Sequence, residues 1–196
     1  MMITLHSGAS STAFECDPEK SIEIKVSEDI QKGTEVYHEE TRMGVGGSRY
    51  LLVSSEVLPF AVDQETGSIT VQGGLDAETR KKYTFTRQLE IKSSGSTCNQ
   101  QVTVHVQDVN DETPKFLKDE FLASIKENEA ATETERSFVT AVHAVDKDSG
   151  AYGRVRYSLL ADYSAFVIDS DTGAISTIRP LDREVTPEYV LTVMAQ

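Results

Sequence analysis

The apolar residues of this chain fall at every second position over short stretches. In Ile22-Glu23-Ile24-Lys25-Val26 the three apolar side chains share one side and the two charged ones the other, the pattern of a strand with one buried face. Val102-Thr103-Val104-His105-Val106 repeats it, and Val190-Leu191-Thr192-Val193-Met194 is a more apolar version. Glu65-Thr66-Gly67 and Asp171-Thr172-Gly173 stand between strand-like runs and read as hairpin turns, with glycine supplying the positive-φ position. No stretch carries a sustained 3.6-residue period with caps. Short strands punctuated by turns predict an all-β sandwich.

The pattern occurs twice. Phe60-Ala61-Val62-Asp63-Gln64-Glu65-Thr66-Gly67-Ser68-Ile69 returns as Phe166-Val167-Ile168-Asp169-Ser170-Asp171-Thr172-Gly173-Ala174-Ile175, 106 residues later. At the same offset Leu75-Asp76-Ala77-Glu78 matches Leu181-Asp182-Arg183-Glu184, and Tyr83-Thr84-Phe85 matches Tyr189-Val190-Leu191. Val26-Ser27-Glu28-Asp29 matches Ile125-Lys126-Glu127-Asn128 at an offset of 99, so the second copy carries 7 more residues between these landmarks. A period of this length is too long for a solenoid unit and has the size of a domain. The chain therefore reads as two tandem copies of one domain.

Charge adds a second theme. With 32 acidic and 19 basic residues the net charge is −13, which disfavours nucleic acid and anionic membrane surfaces as partners. No apolar run approaches a membrane span, so direct membrane insertion is not expected, and the first residues lack the apolar centre of a signal peptide. The sequence reads as a mature or excised segment whose signal and anchor lie elsewhere. The acidic residues concentrate in Asp108-Val109-Asn110-Asp111-Glu112, followed by Thr113 and Pro114. Three carboxylates and an amide in five residues cannot pack into a core, but they supply the hard oxygen ligands that Ca²⁺ prefers.

At these motifs the chain resembles two extracellular cadherin repeats of a nonclassical, protocadherin-like type, over about residues 20 to 196. Glu28 and Glu127 stand at the family's Pro-Glu-Asn position. Asp76-Ala77-Glu78 and Leu181-Asp182-Arg183-Glu184 match its Leu-Asp-Arg-Glu, Asp108 to Glu112 its Asp-x-Asn-Asp-Asn linker, and Asp146-Lys147-Asp148 with Tyr152-Gly153 its Asp-x-Asp and Asn-Gly. The resemblance implies two tandem seven-strand Greek-key β-sandwiches. Residues 1–15 form a flank, 16–107 the first repeat, 108–114 a calcium-binding linker and 115–196 a second repeat cut before its last strand. Tyr83 lies 25 residues before Asp108, whereas its counterpart Tyr189 is followed by only 7. The second repeat is therefore expected to have an unpaired edge and to be the less stable half.

The resemblance also implies about three Ca²⁺ ions at the junction. One resembles a site held by Glu28, Asp76, Glu78 and Asp111. A second would use Glu28, Glu78, Asp108, Asp111, Asp148 and the carbonyl of Val109. A third would use Asn110, Asp146, Asp148 and the carbonyls of Glu112 and Tyr152, and would lack one ligand that follows Gln196. The departures from asparagine at Glu112 and Tyr152 fall where the family offers backbone oxygen, and Ala77 stands at a non-ligand position. Repeat one has no Asp-x-Asp within Glu39 to Gly47, where the family serves a preceding linker, so repeat one is expected at the membrane-distal tip. The chain has no tryptophan, so the strand-swapping mode that docks an N-terminal Trp is not available to it.

Several motifs have blander readings. Asp171-Thr172-Gly173 also spells an aspartic-protease signature, but the other copy carries Glu65 and a shared-proton dyad needs two aspartates; the hairpin turn is the better reading. His143-Ala144-Val145 matches a short adhesion motif of strand-swapping cadherins but falls in a strand-like run of repeat two. Glu39-Glu40 reads as a solvated face. Asp146 with Asp148, or Asp76 with Glu78, could be named an acid–base pair, yet no nucleophile or oxyanion donor accompanies them. No catalytic or organic-cofactor site is expected. Cys16 and Cys98 form an even count; with the sandwich topology, Cys16 before the first strand and Cys98 in the loop between the last two would meet at the upper end, a bridge worth about 4 kcal/mol in the chain-entropy model. The expected function is Ca²⁺-dependent adhesion at the cell surface to another cadherin ectodomain on an apposed cell, homophilic or heterophilic, as part of a single-pass membrane protein. The alternative is a passive spacer of a long cadherin rod, or a receptor ectodomain that binds a soluble ligand.

Overall fold

The computed structural model describes residues 17–38 and 47–196. Glu39 and Glu40, most of the Glu39–Gly47 stretch, the N-terminal flank and Cys16 lie outside the described residues. The chain divides into two compact units, Met1–Val109 and Asn110–Gln196, and among the described residues neither contains an α-helix.

The first unit has seven described strands: β1 (Ile22–Ser27), β2 (Glu35–Tyr37), β3 (Arg49–Val53), β4 (Phe60–Val62), β5 (Ile69–Val71), β6 (Lys82–Ile91) and β7 (Ser96–Gln107). They form a four-stranded sheet in the order β1-β7-β6-β3 and a three-stranded sheet in the order β2-β5-β4. β1 runs parallel to β7 and all other pairs are antiparallel. The alternation in the sequence places the core. Ile22, Ile24 and Val26 are buried while Glu23 and Lys25 are exposed. Ile69, Val71, Val102 and Val104 are wholly buried, and Phe60 packs edge-on against Tyr83 and stacks with Phe85 at 5.8 Å. Burial of each such side chain stabilises by about 1.5–3 kcal/mol. Thr103 departs from the alternation: it faces outward yet is buried, because β7 is flanked on both sides and Thr103 lies between Glu23 of β1 and Thr84 of β6.

Two features of the upper end differ from the simple pattern. Arg87, on the inner face of β6, is 1% exposed. It donates to Oε1 of Gln100 at 2.8 Å and lies over the rings of Tyr50 and Tyr37 at 4.3 and 5.3 Å. A hydrophobic pattern cannot anticipate a guanidinium there. Cys98 is not in a loop as expected. The β6–β7 turn is confined to residues 92–95, and Cys98 sits within β7 opposite Leu89. The tight turn lets the hairpin zip to its end, Ile91 against Ser96.

The hairpin turns form as the glycines require. In the first, Oδ1 of Asp63 accepts from the backbone N–H groups of Glu65 and Thr66 and from the Thr66 hydroxyl, and Gly67 has φ 72°. A Cβ at Gly67 would also fall 2.9 Å from the Tyr50 ring. Asp169 repeats the three bonds with Asp171 and Thr172, and Gly173 has φ 69°.

The second unit contains β8 (Lys115–Phe116), β9 (Ser137–Ala141), β10 (Ala144–Val145), β11 (Tyr157–Leu159), β12 (Phe166–Ile168), β13 (Ala174–Thr177) and β14 (Val193–Ala195). The β12-β13-β9 sheet repeats the β4-β5-β2 arrangement, the β11–β14 pair repeats β3–β6, and β8 pairs with β10. His143-Ala144-Val145 thus enters a short strand. Val142, Tyr157, Ala165, Phe166, Ile175 and Leu181 make its core. Residues 122–126, aligned with β1, join no ladder. In the first unit β1 takes all six of its pairs from β7, and no strand follows β14 before Gln196. For the same reason the Val190–Met194 run is strand only from Val193, although Leu191, Val193 and Ala195 still turn inward.

Candidate metal centre

The lower end of the first unit is organised by Glu28. β1 continues one bond past its last residue, with the Glu28 N–H donating to the Gln107 carbonyl at 3.0 Å. The side chain then turns inward and is 7% exposed. Oε2 accepts from the Ala77 N–H at 2.6 Å and Oε1 from the Val109 N–H at 2.7 Å. One carboxylate thereby ties the loop after β5 to the chain leaving β7. A buried charge is tolerated only with such partners. The result is convergence: carboxylate oxygens of Glu28, Glu78 and Asp108 lie within 4.8 Å of one another, although the residues are 50 and 30 positions apart. Asp76, exposed, accepts from the N–H and hydroxyl of Thr79, each at 2.8 Å, and its carbonyl accepts from the Arg80 N–H at 2.8 Å. These bonds fold residues 76–80 into one tight turn with Ala77 buried beneath it.

In the second unit Asp111 and Asp148 bring carboxylate oxygens within 4.8 Å of each other. Asp148 is 6% exposed; its Oδ1 accepts from the Glu112 N–H at 3.3 Å, and its own N–H donates to Oδ1 of Asp146 at 2.9 Å. Lys147 projects outward to Glu112 at 2.7 Å. Residues 149–153 fold back over Asp148: a Cβ at Gly153 would lie 2.1 Å from the Asp148 carbonyl oxygen, so only glycine fits. Tyr152, at the outside of this loop, is half exposed, and Asn110 is exposed. The structure thus gathers Glu28, Glu78 and Asp108, with the Val109 N–H, in the first unit, and Asp111, Glu112, Asp146 and Asp148 in the second.

The donor chemistry fits a hard divalent cation. These donors are oxygen, without imidazole or thiolate. Two carboxylate charges within 4.8 Å of each other repel by roughly 3.5 kcal/mol or more at an effective dielectric of 20, and a Ca²⁺ ion between them reverses the sign. Glu127 repeats the role of Glu28 in part. Its Oε2 accepts from the Arg183 N–H at 3.2 Å, Oδ1 of Asp182 accepts from the Glu184 and Val185 N–H groups, and the Asp182 carbonyl from Thr186. The same bonds at the same offsets place both copies in one register. Glu127 is nevertheless exposed where Glu28 is buried. Sequence reasoning missed Arg80, which grips Glu56 through both of its terminal nitrogens. No local signal joins these residues, because Glu56 lies 24 positions away in the segment between β3 and β4.

Two consecutive all-β units that share a three-stranded sheet and a further antiparallel pair, with carboxylates gathered in each, define a tandem β-sandwich repeat protein with candidate cation sites. A family profile described as the cadherin domain matches residues 121–196. Human Protocadherin-23 is 33% identical over 180 residues, covering 87% of this chain and 5% of that protein. Human Protocadherin-16 is 32% identical over 186 residues, covering 89% and 6%. Among solved structures, mouse cadherin-23 EC22-24 superposes with a TM-score of 0.76 at 32% identity, over 89% of this chain and 56% of that one. Chicken VE-cadherin EC1-2 gives 0.70 at 25%, over 88% and 87%. The chain belongs to the cadherin superfamily, and its relatives are protocadherin-type proteins. It spans only 5–6% of the length of those curated relatives. Cadherin repeats are adhesion modules and not enzymes, so Asp76 with Glu78, Asp146 with Asp148, and Asp171-Thr172-Gly173 carry no catalytic role.

Proposed function

We propose that this chain is a Ca²⁺-dependent adhesion segment of a cell-surface, protocadherin-like protein, in which about three Ca²⁺ ions stiffen the connection between the two repeats. The observation that carries this reading is the convergence of Glu28, Glu78 and Asp108, three carboxylates from distant parts of one unit, within 4.8 Å. The ligands proposed for the first ion are Glu28, Asp76, Glu78 and Asp111. For the second they are Glu28, Glu78, Asp108, Asp111, Asp148 and the Val109 carbonyl, and for the third Asn110, Asp146, Asp148 and the carbonyls of Glu112 and Tyr152. Without the ion, like charges favour separation of the two repeats; with it, the repulsion becomes attraction and the adhesive surface is presented at a fixed angle to another cadherin ectodomain. The repeat boundaries proposed are 16–107 and 115–196 around the linker 108–114. The membrane-distal position expected from residues 39–47 remains part of the proposal and is not needed for the metal reading.

A Cys16–Cys98 bridge belongs to the same proposal. Among the described residues no cysteine is free. Nε2 of Gln100 donates to the Asp17 carbonyl at 3.4 Å, which holds the residue after Cys16 against the inner face of β7, two positions from Cys98. The alternative reading is a spacer within a long rod, since the curated relatives are many times the length of this chain. Analytical ultracentrifugation separates the two readings. Self-association that appears with Ca²⁺ and disappears with chelator supports adhesion, and a monomer at high concentration in both conditions supports the spacer.

A further inference from the structure

The loop that carries Asp76 and Glu78 is clamped in the first unit and not in the second. Arg80 places Nη1 2.9 Å from Oε2 of Glu56 and Nη2 2.6 Å from Oε1, a fork on both carboxylate oxygens. Its Nε donates to the Lys82 carbonyl at 3.1 Å, and its Cζ lies 4.3 Å above the ring of Tyr83, which is itself buried in the core. An exposed ion pair of ordinary geometry holds little. Here the planar guanidinium is fixed along both edges and on one face, so it can hold the turn that begins at the Asp76 carbonyl and ends at the Arg80 N–H. At the repeat offset Arg80 becomes Thr186 and Glu56 becomes Asp162. The second unit keeps the Asp182 turn without the guanidinium.

We propose that Arg80, held by Glu56 and Tyr83, is a positioning residue for the calcium ligands Asp76 and Glu78: it orders their loop before metal arrives and so raises Ca²⁺ affinity. This rests on the calcium reading above. Two physical effects of Arg80 oppose each other, and their sign decides the question. As a positive charge near a cation site it weakens Ca²⁺ binding by repulsion, so its removal tightens binding. As the clamp it spares the metal the conformational entropy of ordering the loop, so its removal weakens binding. Glu56 reverses the charge argument but not the clamp argument. Loss of Glu56 weakens binding in either case; loss of Arg80 weakens it only if the clamp dominates.

The test is a double-mutant cycle of Arg80→Met and Glu56→Gln on the full chain, read by calcium titration calorimetry and by hydrogen exchange of residues 76–81 in chelator. The clamp predicts that each single variant binds roughly tenfold more weakly. It also predicts that the double variant is no weaker than either single one, because each removes the same interaction. Exchange across 76–81 is faster in all three before any metal is added. Arg80→Lys, which keeps the charge and loses the fork, should behave as Arg80→Met. Unchanged or tighter binding by Arg80→Met, or unaltered exchange, overturns the proposal. Glu78→Ala serves as the control: if it leaves the calcium titration untouched, the calcium reading itself has failed, whereas a Glu78→Ala loss alongside a normal Arg80→Met condemns the clamp alone.

Discussion

Glu28 is both a structural and a charged group, and the two roles separate experimentally. Its oxygens accept from two loops, Ala77 N–H and Val109 N–H. Glu28→Ala leaves both donors without their partner at a buried site, a loss of about 1–3 kcal/mol for each, and should lower the melting temperature even in chelator. Glu28→Gln keeps one accepting oxygen and removes the charge, so its loss in chelator should be smaller while its Ca²⁺-dependent gain falls sharply. Thermal melts of both variants with and without Ca²⁺ check this; equal behaviour in the two conditions contradicts a metal role. Asp111→Ala should likewise remove most of the stabilisation that saturating Ca²⁺ supplies, about 2.7 kcal/mol when the ion is at a hundred times its dissociation constant. The hairpin aspartates act differently. Bonds from the Thr66 N–H, the Thr66 hydroxyl and the Glu65 N–H hold Asp63 below the usual carboxylate range, against a smaller opposing effect of burial. Asp169 is lowered by Thr172 and Asp171 in the same way, with help from Arg136. A carboxylate whose folded pKa is depressed stabilises above its unfolded pKa, and that stability is lost as pH falls through the folded value. Asp63→Ala should therefore be destabilised at neutral pH and lose part of the acid limb of its stability curve below about pH 4, measured by denaturant melts across pH.

At the level of the element, the long β6–β7 hairpin is the frame of the first unit. It carries β1 on one edge and β3 on the other, and it holds the two core rows from Tyr83 to Leu89 and from Val102 to Val106. The period-2 pattern located β1 and the lower half of β7 because these strands keep their apolar side chains on one face, the condition under which alternation is visible. It did not show that β7 begins at Ser96, since polar Ser96 to Gln101 has no alternation to read; hydrogen bonding to β6 makes the strand there. The hairpin motifs were legible because their geometry is local, an Asp accepting from the next turn and a glycine with positive φ. Arg80 with Glu56 and Arg87 with Gln100 were not, because each joins residues of two elements. The disulfide is tested at this scale. Peptide mapping under non-reducing conditions should yield a Cys16–Cys98 linked fragment, and Cys98→Ser should cost about 2–5 kcal/mol of the first unit's stability. Alkylatable thiols in freshly secreted protein contradict it. Gly153→Ala probes the loop over Asp148: a methyl group 2.1 Å from the Asp148 carbonyl must displace the loop, and calcium binding should weaken while the first unit's melting in chelator is unchanged.

For the whole molecule, the repeat offset links the two acidic ends and sets the central test. The carboxylates of Glu28, Asp76 and Glu78 are matched by Glu127, Asp182 and Glu184, and Glu28 and Glu127 accept equivalent bonds from the Ala77 and Arg183 N–H groups. Only the first set is joined, in the calcium sites proposed above, by the acids of the linker. Three carboxylates alone leave most of the six to eight oxygen positions of Ca²⁺ to water, which corresponds to roughly millimolar binding. Calcium titration calorimetry of the chain and of its Glu78→Ala and Glu184→Ala variants is the most direct measurement. The unaltered chain should bind about three ions well below millimolar concentration, Glu78→Ala should lose most of that binding, and Glu184→Ala should titrate indistinguishably from the unaltered chain. Absence of binding below millimolar calcium, or a Glu184→Ala loss as large as that of Glu78→Ala, contradicts the proposed calcium sites.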